Sequence, residues 1–162
     1  MIVFDVDGVL TDGSINVDAD GREIKRFHVR DGVAIKDWMA LGGEAGIISG
    51  RGGAALRARA RDLGIERIVE NSISKAADLV AMAEEADIPL EQVAFMGDDL
   101  PDLPALRLAG YAMTVADAPR QVKQICQFVT TAPGGAAAAR EAIEHLVEAR
   151  GDMNRWLSRY DG

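Results

Sequence analysis

Apolar positions in this chain come in short runs, and each run is followed by a polar or glycine-rich break. Met1 to Phe4 is uniformly apolar, the pattern of a strand buried on both faces. Four similar runs follow, in "EAGIIS", "IERIVEN", "QVAFMG" and "YAMTV". The segments between them carry apolar residues at helical spacing: Val33, Ile35, Trp38, Met39 and Leu41 before Gly42-Gly43, "GGAALRARARDLG" closing at Gly64, a long helix from about Ser74 to Ala86, and the short "PDLPALRLAG". Between the first strand and the first helix, Ser14 to Val17 and Glu23 to Val29 alternate in period two around Asp18-Ala-Asp-Gly21. They form a β-hairpin over about residues 14–29. Strands alternating with helices imply right-handed crossovers and an α/β fold, a doubly wound, Rossmann-like parallel sheet. An amphipathic helix follows the glycine-led "PGGAAAAREAIEHLVEARG". Residues 1–150 form a single domain, and residues 151–162 a C-terminal tail that is either disordered or reaches a neighbouring subunit through Arg155, Trp156, Arg159 and Tyr160.

Composition narrows the partners. At 162 residues, 48% apolar and 27% charged, the chain has the make-up of an ordinary globular domain, with no apolar run of membrane-spanning length and no signal-peptide pattern. Its single cysteine, Cys126, allows no internal disulfide and reads as a buried structural thiol in the reducing cytoplasm. The net charge of −8 argues against a nucleic-acid partner, so an anionic small molecule would need a metal or particular Arg and Lys side chains.

Chemistry gathers where the strands end. In open α/β sheets, ligands bind beyond the carboxyl ends of the strands. Asp5 and Asp7 follow the first strand, Ser49-Gly50-Arg51 the second, Lys75 the third, and Asp98, Asp99 and Asp102 the fourth. Asp5 and Asp7, two residues apart, would share one small space. Two negative charges at ~4 Å repel by roughly 4 kcal/mol at an effective dielectric of about 20, an obstacle that a hard divalent cation removes.

Asp5-Val-Asp7-Gly8-Val-Leu-Thr, Ile-Ile-Ser49-Gly50, Lys75 and Gly97-Asp98-Asp99-Leu-Pro-Asp102 together resemble the four signature motifs of the haloacid dehalogenase superfamily of phosphotransferases. The resemblance implies a HAD-like phosphatase in which Asp5 is the nucleophile, Asp7 the general acid and base, and Ser49, Gly50 and Lys75 hold phosphate oxygens. Mg²⁺ would be bound by Asp5, the Asp7 backbone carbonyl and Asp98, with Asp99 and Asp102 in support. The spacing between motifs leaves no room for a cap domain, only for the hairpin as a flap. Phe27 to Gly32 ("FHVRDG") and Ser49-Gly-Arg51 further resemble the capless 3-deoxy-D-manno-octulosonate 8-phosphate phosphatases. That resemblance implies a homotetramer closing its sites with hairpins and C-terminal segments, a role in lipopolysaccharide precursor synthesis, and a phosphorylated sugar acid facing Arg30, Asp31 and Arg51. Three positions depart from the family pattern: Gly134-Gly135-Ala136-Ala137 stands for Gly-Gly-Arg-Gly, Ser74 for the Asp before the motif lysine, and His28 for Asn. The alternatives are a 2-keto-3-deoxynononate or N-acylneuraminate 9-phosphate phosphatase and, from other classes, a phosphoacceptor signalling module or a non-catalytic assembly domain.

Overall fold

The computed structural model describes residues 1–161. In chain order the elements are β1 (Ile2–Phe4), β2 (Asn16–Val17), β3 (Glu23–Ile24), α1 (Val29–Ala40), β4 (Ala45–Ile48), α2 (Ala54–Leu63), β5 (Arg67–Val69), α3 (Lys75–Glu85), β6 (Ala94–Met96), α4 (Leu103–Leu108), β7 (Tyr111–Thr114), α5 (Arg120–Lys123), β8 (Phe128–Val129), α6 (Ala138–Ala149) and α7 (Met153–Leu157). Six strands form one parallel sheet in the order β5-β4-β1-β6-β7-β8, and β2 pairs with β3 as a separate antiparallel hairpin.

All three residues of β1 are fully buried because β4 and β6 flank it, with Ile2 in register with Ala45 on one side and Ala94 on the other. The chain leaves β1 toward one edge of the sheet and later returns to the other side of it. The carboxyl end of β1 is therefore the switch point where such folds bind ligands. Helix α1 packs on α6, whose Ala138, Ala139 and Ala142 are fully buried and let the two backbones come close, while α3 packs on α4.

Two short elements escape the hydrophobic pattern. β8 adds a sixth, two-residue edge strand and α5 a single helical turn, both too brief to build a periodicity. The tail departs further from expectation, because as far as Asp161 it is folded onto its own chain; Gly162 lies outside the described residues. Trp156 is 2% exposed, and its indole N–H donates to Asp37 Oδ2 at 2.7 Å. Arg159 Nε donates to Asp37 Oδ1 and the Tyr160 hydroxyl to Asp37 Oδ2. Against the cost of burial, the hydrogen bonds from Tyr160, Trp156 and Arg159 hold the Asp37 carboxyl below its ordinary pKa. A carboxylate inside α1 is thus what anchors the tail.

The loop before α6 does not extend outward either. Gly134 and Gly135 press against the loop that follows β1: a Cβ on Gly134 would lie 1.8 Å from the Gly8 carbonyl oxygen, and the Gly135 N–H donates to the Val9 carbonyl at 3.0 Å. Ala137 sits at φ +74°, in the left-handed region, where the family pattern has glycine. Ala137→Gly is expected to stabilise the fold by about 1 kcal/mol by removing that strain, as read from urea unfolding.

Candidate active site

Beyond the carboxyl end of β1 lies a cleft of about 330 Å³, lined by Asp5, Asp7, Ser49, Gly50, Arg51, Ser72, Ile73, Lys75 and the rings of Pro101 and Pro104. Asp5 is the first residue after β1 and is 6% exposed; its backbone N–H donates to the Met96 carbonyl of β6, which fixes it at the sheet tip. Lys75 opens α3 behind the N-cap Ser74, whose hydroxyl accepts from the Ala77 N–H. Its ammonium reaches Asp5 Oδ2 at 2.9 Å and Asp102 Oδ1 at 2.5 Å. Burial alone would push the Lys75 pKa down, but the Asp5 and Asp102 carboxylates carry it above its ordinary value. Ser49 follows β4 and is almost fully buried. Its Oγ accepts from the Arg51 N–H at 3.2 Å, leaving the hydroxyl proton to donate into the cleft.

Asp5, Asp98 and Asp102 bring carboxylate oxygens within 4.8 Å of one another. Asp102 is committed elsewhere, since besides Lys75 it accepts from the Asp98 N–H at 2.8 Å and the Asp99 N–H at 3.2 Å. Asp99 is exposed and caps its own turn through the Leu100 N–H. Asp5 and Asp98 remain as the acids with free oxygens. Gly8, at φ +93°, lies so close that a Cβ there would stand 2.0 Å from Asp98 Oδ2, so only glycine leaves space beside that carboxylate. Hard oxygen donors, a backbone without a side chain and excess negative charge suit a hard divalent cation such as Mg²⁺.

Without a cation this cluster is strained electrostatically. Burial, and then the neighbouring Asp102, pushes Asp5 up to about 6; burial, and then Asp5 and Asp102, pushes Asp98 up to about 8. Between the ordinary carboxylate value and these raised ones, the folded state holds protons that the unfolded chain has released. The contribution of the pair to stability is therefore full below about pH 4 and is lost as pH rises through about 6 and then 8. The gain in melting temperature on replacing EDTA with Mg²⁺ is accordingly expected to be larger at about pH 8 than at about pH 5. Equal gains at both pH values would show that the acids do not share one cation.

Of the residues expected at the site, Asp5, Asp7, Ser49, Gly50, Arg51 and Lys75 line the cleft, with Asp98 beside Asp5 and Asp102 behind Lys75. Arg30 and Asp31 do not join them within this chain. The first turn of α1 directs both toward α6. Asp31 is 3% exposed and accepts the Arg140 N–H at 2.8 Å, capping α6, while exposed Arg30 borders a separate cleft with Arg140 and Glu144. His28 serves as the N-cap of α1, its Nδ1 accepting from the Arg30 N–H.

Two further site residues come from the flap. Lys25, its side chain 3% exposed, donates to Asp7 Oδ1 at 2.5 Å, and Glu23 accepts from Arg51 at 3.0 Å. Their signal was the two-residue spacing, which puts both on one face of a strand. Cys126 is a partly buried thiol whose pKa burial raises to about 11, which suits a structural role.

Among known proteins, the haloacid dehalogenase-like hydrolase family profile matches residues 61–137. The 3-deoxy-D-manno-octulosonate 8-phosphate phosphatase of Haemophilus influenzae is 41% identical over 93% of this chain and 83% of its own length. The enzyme of the same name from Escherichia coli K12 is 35% identical over 95% of this chain and 82% of its own. The crystal structure of the Moraxella catarrhalis enzyme, described as a complex with magnesium, phosphate and a KDO molecule, superposes with a TM-score of 0.96 at 34% identity, covering 99% of this chain and 92% of that one. With motifs, fold and site geometry in agreement over nearly its whole length, the chain belongs to the 3-deoxy-D-manno-octulosonate 8-phosphate phosphatase family of haloacid dehalogenase-like hydrolases.

Proposed function

We propose that the protein is a Mg²⁺-dependent phosphatase that hydrolyses 3-deoxy-D-manno-octulosonate 8-phosphate by way of a phosphoryl group held on Asp5. The observation that carries this reading is the meeting of Asp5, Lys75, Ser49 and Asp98 at the tips of separate strands, in a chain whose relatives carry that enzyme's name. One Asp5 oxygen is bound by Lys75, which leaves the other to attack phosphorus. The Ser49 hydroxyl and the Lys75 ammonium orient the phosphoryl oxygens and take up part of their charge. Asp7, which lines the same cleft, protonates the departing sugar oxygen, and then takes a proton from the water that cleaves the aspartyl-phosphate, which restores Asp5. Asp5, Asp98 and the Asp7 carbonyl would hold Mg²⁺, which would supply the positive charge that lets a carboxylate approach an anionic phosphate. Arg51, half exposed at the rim, matches the sugar-acid carboxylate through its planar pair of donors.

The chain acts as a cytoplasmic homotetramer. Support for the assembly comes from the outer surface of the flap, where Ile15, Val17 and Ile24 are 62%, 58% and 57% exposed beside a cleft that no cap covers. Arg30 then faces a neighbour rather than its own cleft. A monomer in sedimentation equilibrium at assay concentration would remove this reading of the flap.

Phosphate release measured across a panel of sugar phosphates, with Mg²⁺ and with EDTA, tests the substrate. A preference for the eight-carbon acid, abolished by EDTA, is expected. Preference for the nine-carbon keto-deoxy acids would keep the mechanism and replace the substrate, and release unaffected by EDTA would overturn the mechanism.

A further inference from the structure

Strand geometry gives the flap two unlike faces. Glu23 and Lys25 point to one side, and Ile24 between them to the other. On the inner side the charges close into a ring. Lys25 bridges Asp7 and Glu23, at 2.5 and 3.3 Å; Glu23 Oε1 also accepts from Arg51 Nη2 at 3.0 Å; and Arg51 Nε lies 3.9 Å from Asp7 Oδ2. Asp7 and Arg51 belong to the strand tips, Glu23 and Lys25 to the flap. The Arg51 side chain is 50% exposed and that of Glu23 20%, so solvent and solutes reach this contact.

The group bound to Arg51 is a carboxylate, chemically the same as the group that Arg51 would read in a sugar acid. Glu23 sits on Arg51 Nη2, the nitrogen common to both bidentate edges of the guanidinium, so a second carboxylate that engages either edge lies beside it and the two repel each other. We infer that Glu23 is a resident carboxylate that competes with the ligand's own carboxylate for Arg51, and so promotes release of the sugar-acid product. Hydrolysis removes the phosphate but leaves the sugar's carboxylate intact. Without a competitor the product would keep its hold on Arg51 after the chemistry is done. Glu23 reclaims Arg51, and the flap returns with it. Exchange of one carboxylate for another replaces a charge-assisted hydrogen bond with its like, which makes it nearly balanced and readily reversed. Glu23 is in this sense a positioning residue, acting through Arg51.

The inference rests on the proposed reading of Arg51 as the carboxylate site, and two variants separate the two claims. In Glu23→Gln, which keeps the shape of the side chain and an acceptor for Lys25, the inhibition constant of the free eight-carbon sugar acid is expected to fall about two- to fivefold, the scale of one partly exposed charge pair. Inorganic phosphate, the other product, does not need Arg51, and its inhibition constant is expected to fall by a clearly smaller factor. Equal tightening of both inhibitors would mean only that a negative charge had been removed from the cleft, and would overturn the inference. So would unchanged or weaker inhibition by the sugar acid. In Arg51→Met, sugar-acid inhibition is expected to weaken at least tenfold. If it does not, the Arg51 reading fails and the inference falls with it; if it does while Glu23→Gln shows no selective tightening, only the role of Glu23 is refuted.

Discussion

Asp5→Asn is expected to release no measurable phosphate from any sugar phosphate, a loss of about a thousandfold or more, while the purified protein remains folded and no less stable than the parent in the absence of metal. The first half follows from the chemistry, since an amide oxygen has no charge with which to attack phosphorus and none to draw a cation in. The second half follows from the electrostatics. The Asp5 carboxylate is buried, and its pKa is pushed up to about 6 by that burial and by Asp102, so in the metal-free fold near neutral pH it is a charge held against its preference. Removing the charge relieves this, and Lys75 keeps Asp102 as a partner. Catalytic residues that oppose stability in this way are the usual price of a reactive site. Phosphate release at a constant substrate concentration, beside urea unfolding in EDTA, measures both halves. Retained turnover would exclude Asp5 as the phosphoryl acceptor, and a large loss of stability would mean that its ion pair with Lys75 outweighs its burial.

Much of this site is legible in the sequence because its acids stand directly behind apolar runs. A strand such as Met1 to Phe4 has to be buried, so whatever follows it is delivered to the end of the sheet. The same reasoning finds Ser49 after β4 and Asp98 after β6. What stays hidden are charges whose burial depends on tertiary partners. Arg30 and Asp31 are adjacent in the motif, yet the first turn of α1 directs both toward α6, one left exposed and one buried. Asp37 looks like a solvent-facing helix residue until Trp156, Arg159 and Tyr160 fold back onto it. Glu23 and Lys25 read as the polar face of a hairpin, and only the approach of the flap to Asp7 and Arg51 makes them part of the site. Ala137 conceals its strain for a different reason: a loop sequence does not declare which residue will adopt positive φ.

The acids also divide by role, and Asp102→Asn is the substitution that exposes the division. Asp102 is 1% exposed, and its two oxygens accept from Lys75, the Asp98 N–H and the Asp99 N–H, so it fixes both the ammonium that holds Asp5 and the backbone that carries Asp98. The fit is tight, for a Cβ on Gly97 would come within 2.6 Å of the Asp102 Cβ, and an altered side chain has no room to turn away. In Asn one oxygen becomes an NH₂ group. In one orientation it opposes the Lys75 ammonium, and in the other the two backbone N–H groups. Either way a buried donor faces a donor. The expected cost is about 3–5 kcal/mol of stability, the scale of a broken buried ion pair. Phosphate release is expected to drop about tenfold to a hundredfold as Lys75 and Asp98 lose their registration, the scale for loss of a residue that orients a metal ligand. Set beside Asp5→Asn under the same metal-free conditions, only Asp102→Asn should lose stability. If Asp102→Asn instead unfolds within about 1 kcal/mol of the parent, its carboxylate behaves like that of Asp5, as a charge the fold tolerates for the sake of a cation. Asp102 would then join Asp5 and Asp98 among the candidate ligands of the cation.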